Sequence, residues 1–258
     1  MNKAVVFILT LVIIGFLADM TGFTDQKPFF YTKKFDHQSK NIDILIKTNL
    51  SIVVNNANTN FLSIKNKLDS IFAHVEKDFK IVIDPGHGGV DPGTVQGDLY
   101  EKDLNLIVAK KLKKYLKNQG FQVVMTREKD ETLTQKQRVS IAKAEKPDIF
   151  ISIHANSSWD KSLQGVEIYW NTFQSKHLAN RIERSFIDMT NSNIMTVRSR
   201  YYVLRNTNFP AILVEIGYIS NEYERYELLK RRKQNGIVEA ITGGILQYYN
   251  SKKSTANS

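Results

Sequence analysis

Two kinds of hydrophobic spacing alternate along the chain from residue 79 onward. Short apolar runs typical of strands are separated by longer segments in which apolar residues recur at helical spacing. The strand-like runs are 79–84, 121–126, 148–154, 165–170 and 211–216, and the helical segments are 101–120, 134–146, 175–190, 221–233 and 236–250. This alternation predicts a single α/β domain over residues 78–250, with a mainly parallel sheet flanked by helices.

The chain begins with a different pattern. A short flank containing Lys3 precedes an unbroken apolar run of about fifteen residues that Asp19 closes, which predicts an export signal. The run is shorter than the roughly 20 apolar residues that span a bilayer, although residues 20–23 extend it. We interpret residues 1–23 as a signal peptide or a membrane anchor. Poor cleavage-site residues at 16–18 favour an anchor, with the body on the extracytoplasmic face of the membrane or in the cell wall.

Two further segments lie outside the alternating pattern. Residues 24–77 are polar and rich in Asn and Lys, and we interpret them as a stalk or linker to which the pattern assigns no regular structure. Residues 251–258, SKKSTANS, predict a disordered polar tail.

Composition narrows the choice of partners and metal ligands. The chain has no cysteine, which excludes a disulfide framework and leaves histidine and carboxylate side chains to hold any metal. Its 36 Lys and Arg residues outnumber its 26 Asp and Glu residues, for a net charge of +10 that favours contact with anionic membranes or wall polymers. We expect no nucleic-acid partner, because no nucleic-acid-binding motif occurs in the sequence.

Polar side chains follow or interrupt four of the predicted strands. His87 lies in the glycine-rich loop after the first strand, Arg127 follows the second, His154 ends the third, and Glu215 interrupts the last. Chemistry in α/β sheets gathers beyond the carboxyl ends of the strands, so we expect these groups to converge at one edge.

A metal site is one interpretation of the two histidines. Together with Glu101, which opens the first long helix, His87 and His154 make up two imidazoles and one carboxylate, a normal set for catalytic zinc. Each residue also has an ordinary explanation. His87 alone fits a surface turn, His154 a core position, and Glu101 an acid that stabilises the helix dipole. Two histidines at one edge favour the metal.

Glu215 lies in an otherwise apolar strand, where a charge is costly unless it is paired or used. A buried ion pair with Arg127 or Arg205 is the structural alternative to a catalytic role.

These motifs carry a family resemblance. IDPGHGG, EKDLNL, VVMTR, ISIHAN, GVEIYW and FPAILVEIGYISN occur in order over roughly the last two-thirds of the chain. In these the sequence resembles the zinc-dependent N-acetylmuramoyl-L-alanine amidases of the amidase-3 type. The resemblance implies a six-stranded sheet, one Zn²⁺ ion held by His87, Glu101 and His154, and Glu215 as the catalytic carboxylate.

The family's reaction is hydrolysis of the amide between the lactyl group of muramic acid and L-alanine in peptidoglycan. We expect zinc to activate water and Glu215 to carry its proton to the leaving nitrogen. Near the motifs, Asn156, Arg127 and Arg205 are candidates for substrate contacts. Asp84 is a candidate for orienting a histidine, or for a turn residue.

Several alternatives remain open at this stage. The short loop at 157–165 predicts an open site, so any control comes from elsewhere, including a protein activator of unknown identity. The short N-terminal segment also resembles amidases of spore-forming bacteria that act in cortex maturation and muramic lactam formation. A non-catalytic peptidoglycan-binding protein and a zinc peptidase are the alternatives from other classes.

Overall fold

A computed structural model describes residues 77–189 and 194–256. The segment interpreted as a signal or anchor and almost all of the interpreted stalk lie outside these residues. Within the described ranges, no helix combines the length and apolar character needed to cross a membrane.

A six-stranded sheet forms the centre of the domain, in the order β4-β1-β5-β8-β6-β7. Neighbouring strands run parallel except β6 and β8, which are antiparallel. The single α/β domain with a mainly parallel sheet is thereby confirmed. The strands, which include a small β2–β3 hairpin, are β1 Lys77–Pro85, β2 Val95–Gln96, β3 Leu99–Tyr100, β4 Phe121–Met125, β5 Ile149–Asn156, β6 Val166–Trp170, β7 Ile194–Arg198 and β8 Ala211–Tyr218.

Helices cover both faces of the sheet. The buried apolar residues of α1, α3 and α6 pack on one face of the sheet, and those of α2 and α4 pack on the other face. Both faces of the central strands are therefore buried, which explains why every residue of β8 is buried and why its sequence is largely apolar around Glu215. The helices are α1 Glu101–Asn118, α2 Gln135–Glu145, α3 Phe173–Met189, α4 Tyr202–Arg205, α5 Glu222–Leu229 and α6 Arg231–Ala256.

The strand β7 was not predicted from hydrophobic spacing. It lies at the edge of the sheet and none of its five residues is fully buried, so its sequence, IMTVR, lacks a clear apolar face. Only the family resemblance implied a sixth strand.

The C-terminal helices differ from the prediction at two points. The segment predicted as one helix over 221–233 is interrupted at Lys230, which has extended backbone angles, and α6 begins at the next residue. The tail predicted to be disordered is helical as far as Ala256. Its lysine ammonium groups lie over tyrosine rings one turn earlier, Lys252 over Tyr248 at 5.6 Å and Lys253 over Tyr249 at 5.1 Å.

A buried carboxylate joins the strands near the carboxyl edge of the sheet. Asp84 Oδ1 accepts hydrogen bonds from Thr126 (2.6 Å) and Arg138 (2.8 Å), and Oδ2 accepts one from Ser152 (2.8 Å). Burial alone would raise the pKa of Asp84, but Arg138 and the hydrogen bonds outweigh it, so the pKa is lowered. Asp84 thus connects β1, the residue after β4, β5 and α2. No hydrogen bond joins its carboxylate to a histidine of the described ranges, in contrast to one of its two predicted roles.

We predict that Asp84→Asn lowers the free energy of unfolding by about 3–5 kcal/mol, because Arg138 is left buried without its counter-charge. Denaturant unfolding at neutral pH measures this loss. As a control, Glu128→Gln removes the partly exposed ion pair with Lys113 and should cost less than about 1 kcal/mol. Equal losses in the two variants would contradict the assignment.

The lowered pKa of Asp84 also makes the stability of the fold depend on pH. A carboxyl group with a lowered pKa in the folded state stabilises the fold fully above its unfolded pKa of about 4, and the stabilisation disappears as the pH falls further. The stability difference between wild type and Asp84→Asn should therefore narrow below about pH 4. A difference that stays constant down to pH 2 would contradict it.

Candidate metal centre and catalytic carboxyl

The loop after β1 carries His87 in a conformation that the fold has to hold in place. His87 has a positive φ of 58°, which is uncommon for a residue other than glycine. Arg138 fixes it by donating to the His87 carbonyl at 2.7 Å. Arg127 donates to the carbonyls of Pro85 and Gly86, each at 2.9 Å. Two buried guanidinium groups therefore fix the loop that presents the histidine.

His87, Glu101 and His154 converge at the carboxyl edge of the sheet. Glu101 Oε1 lies 3.2 Å from His87 Nε2 and 3.1 Å from His154 Nδ1. One ligand atom from each residue lies within 4.8 Å of the others. The structure therefore brings the three residues predicted as metal ligands close together, from a loop, the start of α1 and the end of β5.

Glu101 is held as an anion in this cluster. Its oxygens accept hydrogen bonds from the main-chain nitrogens of Ala155 (3.2 Å) and Thr94 (3.0 Å) and from the Asn105 amide (3.2 Å). Burial alone would raise the pKa of Glu101, but hydrogen bonds and charge from His154 and His87 lower it. The carboxylate therefore stays ionised, as a metal ligand must.

Asp91, which the sequence analysis did not single out, orients His87. Its Oδ2 accepts a hydrogen bond from His87 Nδ1 at 2.8 Å, and its Oδ1 accepts one from Gly93 N at 3.1 Å. With the proton on Nδ1, the lone pair of His87 Nε2 faces Glu101. The signal was present in the sequence as an acid four residues after the histidine in HGGVD.

Glu215 lies beside the cluster, directly opposite His154 in the pairing of β5 and β8. Its Oε2 is buried and has no hydrogen-bond partner within the described part of the chain. Burial, and then the nearby charges of Glu101 and Glu167, raise its pKa well above the ordinary value. No arginine of the described ranges pairs with it, so the ion-pair alternative is not found.

Glu167 on β6 is a second carboxylate that the sequence analysis missed. It lies opposite Glu215 in the antiparallel pair of β6 and β8. It accepts hydrogen bonds from the hydroxyls of Tyr218 (2.5 Å) and Tyr169 and from the Asn156 amide (3.0 Å). The GVEIYW motif contained it, but Glu167 alternates there with the apolar Val166 and Ile168, which is the pattern of an ordinary solvent-facing acid on a half-buried strand.

The three predicted substrate residues have different positions. Asn156, at the end of β5, is half-buried and hydrogen-bonded to Glu167. Arg205 is exposed at the end of α4, with its guanidinium over the Tyr202 ring at 5.8 Å. Arg127 is only 1% exposed and donates to main-chain carbonyls. Arg127 therefore supports the loop that carries His87, and its burial does not fit the predicted substrate contact.

The donor set and two of the three ligand spacings fit a zinc ion. Ligand atoms at about 2 Å from one tetrahedral ion lie roughly 3.3 Å apart, close to the 3.1 and 3.2 Å contacts that Glu101 makes with the histidines. Two imidazoles and one carboxylate are also a normal ligand set for catalytic zinc.

Fold and site together define an α/β protein with a candidate metal centre beside a buried carboxyl oxygen, Glu215 Oε2, that has no hydrogen-bond partner among the described residues. The model of the Amidase_3 family, the N-acetylmuramoyl-L-alanine amidases, matches residues 81–247. The chain belongs to this family, which confirms the predicted resemblance and the predicted function as an amidase that cleaves peptidoglycan.

Relatives with known names agree with this membership. A germination-specific N-acetylmuramoyl-L-alanine amidase of Bacillus subtilis is 31% identical, over 67% of this chain and 80% of its own length. The catalytic domain of the amidase CwlV from Bacillus (Paenibacillus) polymyxa matches with a TM-score of 0.64 and 37% identity, over 67% of this chain and 98% of that domain. The CwlD amidase of Clostridioides difficile, solved in complex with the GerS lipoprotein, matches with a TM-score of 0.64 and 30% identity. The match covers 67% of this chain and 100% of that chain.

We predict that Gly86→Ala abolishes metal retention. A Cβ atom at Gly86 would lie 2.2 Å from the His154 ring, so the ring has to move out of the cluster. Zinc per chain after dialysis, measured by atomic absorption, tests this. Gly236→Ala is the matched control, because nothing lies within 4 Å of a Cβ atom there. Full zinc retention by folded Gly86→Ala would contradict the proposed ligand set.

Proposed function

We propose that the chain hydrolyses the amide between the lactyl group of muramic acid and L-alanine with one zinc ion bound by His87, Glu101 and His154. The observation that carries this proposal is the convergence of these three side chains beside the unpartnered carboxyl oxygen of Glu215. When bound, zinc polarises the scissile carbonyl and lowers the pKa of a water molecule.

Glu215 is the proton carrier in this proposal. Its carboxylate accepts a proton from the attacking water and returns it to the departing nitrogen of L-alanine. Burial raises the pKa of Glu215, which makes its carboxylate a stronger base than an exposed one. The products are a stem peptide with a free amino terminus and a free lactyl carboxylate on the sugar.

Asn156 and Arg205 are the remaining proposed substrate contacts. Asn156 adjoins both His154 along β5 and Glu167 across the sheet, so its amide lies within the catalytic edge. Arg205 is exposed, and a guanidinium binds carboxylates well. Its proposed partner is a carboxylate of the stem peptide.

Export and membrane attachment through residues 1–23 complete the proposal. Peptidoglycan lies outside the cytoplasm, so an amidase has to reach the outer side of the membrane, and the basic flank and apolar run provide a signal for this. The similarity to CwlD, solved with a lipoprotein, supports adding candidate lipoproteins to the activity assay as activators.

A spore-specific role is the second candidate, supported by the germination-specific relative in Bacillus subtilis. Deleting the gene and measuring muramic lactam in purified spores separates the two roles. Loss of lactam without a change in vegetative wall composition would assign the protein to the spore cortex. Normal lactam with altered vegetative wall turnover would assign it to growth.

We predict that Glu215→Gln lowers kcat for release of stem peptides by at least about 100-fold, because the amide cannot accept the proton. The ligands are unchanged, so the variant should still retain one zinc ion per chain. Glu222→Gln, at an exposed position on α5, is the matched control and should keep wild-type activity. Unchanged activity of Glu215→Gln would exclude it as the proton carrier.

A further inference from the structure

The loop formed by residues 157–165 begins and ends at the catalytic edge of the sheet. It starts after Asn156, two residues beyond His154 at the carboxyl end of β5. It ends at Gly165, two residues before Glu167, which lies opposite Glu215. A hydrogen bond of 3.0 Å from Asn156 to Glu167 closes its base. The loop therefore projects from the rim of the site.

Hydrogen bonds to the β8–α5 turn hold this loop along its length. The main-chain nitrogen of Ser158 donates to Ser220 Oγ at 3.0 Å, and Asn221 Nδ2 donates to the Lys161 carbonyl at 2.9 Å. At the far end, Gly165 N donates to the buried Glu224 carboxylate at 2.9 Å. The loop is thus ordered before any ligand binds, which lowers the entropy cost of using it as a contact surface.

Trp159 is the outstanding residue of the loop, because it is fully exposed at 100% of its reference area. A large apolar ring left in water is unfavourable, and a rigid aromatic side chain at the rim of a site is a frequent anchor for a ligand. The other residues of the loop are three serines, one acid, Asp160, one base, Lys161, and Leu163, Gln164 and Gly165. This neutral, hydroxyl-rich setting favours an uncharged polyhydroxyl ligand over an anionic surface.

We propose that Trp159 forms a glycan subsite, in which its indole stacks on the apolar face of a sugar in the strand that carries the reacting muramic acid. The inference rests on the proposed function, because the scissile amide is attached to a sugar of a continuous glycan strand. That strand has to pass the rim of the site when the amide reaches the catalytic edge. Trp159 therefore sets a preference for polymeric glycan over an isolated muramoyl peptide.

Intrinsic fluorescence tests the subsite without depending on turnover. The chain contains two tryptophans, and the other, Trp170, is half-buried on β6. In the full chain carrying Glu215→Gln, soluble peptidoglycan fragments of several sugars should change the emission on binding. An added Trp159→Phe substitution should remove most of this change while Trp170 still emits. An identical change in both proteins would overturn the proposal.

Steady-state kinetics test the expected preference for polymeric glycan. Trp159→Ala should raise KM for multi-sugar fragments by about 3- to 10-fold, the range expected for one aromatic stacking contact, with kcat unchanged. For a muramoyl peptide with a single sugar, KM should not change. Trp159→Tyr should restore part of the affinity. Tyr226→Ala, at an exposed aromatic position on α5, is the control and should leave both substrates unaffected.

The outcomes separate this inference from the proposed function. Equal effects of Trp159→Ala on both substrates, or none on either, would overturn the glycan subsite in an active enzyme. Weaker binding of Trp159→Ala to anionic lipid vesicles, with unchanged binding of glycan fragments, would overturn it in favour of a membrane contact. If the wild type cleaves neither substrate, the amidase proposal fails, while fluorescence still decides whether Trp159 binds glycan.

Discussion

The carboxylate of Glu101 is the group on which the candidate site depends. It is nearly buried, and it contacts both histidines while main-chain nitrogens from two other segments donate to it. A buried anion is tolerated only when donors or a cation surround it. The segments around Glu101 therefore have to keep their donor groups directed at its carboxylate. The loop after β1, the start of α1 and the end of β5 are all fixed around this side chain.

Beyond Glu101, the sheet register arranges the remaining groups in a row. His154, Glu215 and Glu167 occupy paired positions on the adjacent strands β5, β8 and β6. Directly paired residues point to the same face of a sheet, so these side chains are neighbours without any loop contributing to their alignment. The row places a buried carboxyl of raised pKa between the candidate metal centre and a second carboxylate satisfied by two tyrosine hydroxyls.

Much of the fold could be predicted because the central strands are buried on both faces and are therefore largely apolar. The edge strand β7 lacks that burial, so spacing alone did not reveal it. The three candidate ligands were accessible from sequence because they stand where an apolar strand ends or an amphipathic helix begins, and Glu215 was accessible because it interrupts an apolar strand. Asp91 was missed although it lies only four residues after His87, and Glu167 was missed because its role comes from cross-strand pairing.

Arg127 illustrates a different limit. Its position after a strand made it a reasonable candidate for a substrate contact. Only the structure shows that its guanidinium is buried and donates to main-chain carbonyls of the loop that carries His87. A polar residue at a strand end can be recognised from the sequence. Whether its side chain faces solvent or hydrogen-bonds to the main chain cannot.

The most direct test of the central claim is mass analysis of peptidoglycan fragments after incubation with the purified full chain, with zinc or with a chelator. The account predicts intact stem peptides beginning with L-alanine and sugars with a free lactyl carboxylate, lost with the chelator and restored by added zinc. Products cut between amino acids within the stem, or cleavage that the chelator does not affect, would contradict it.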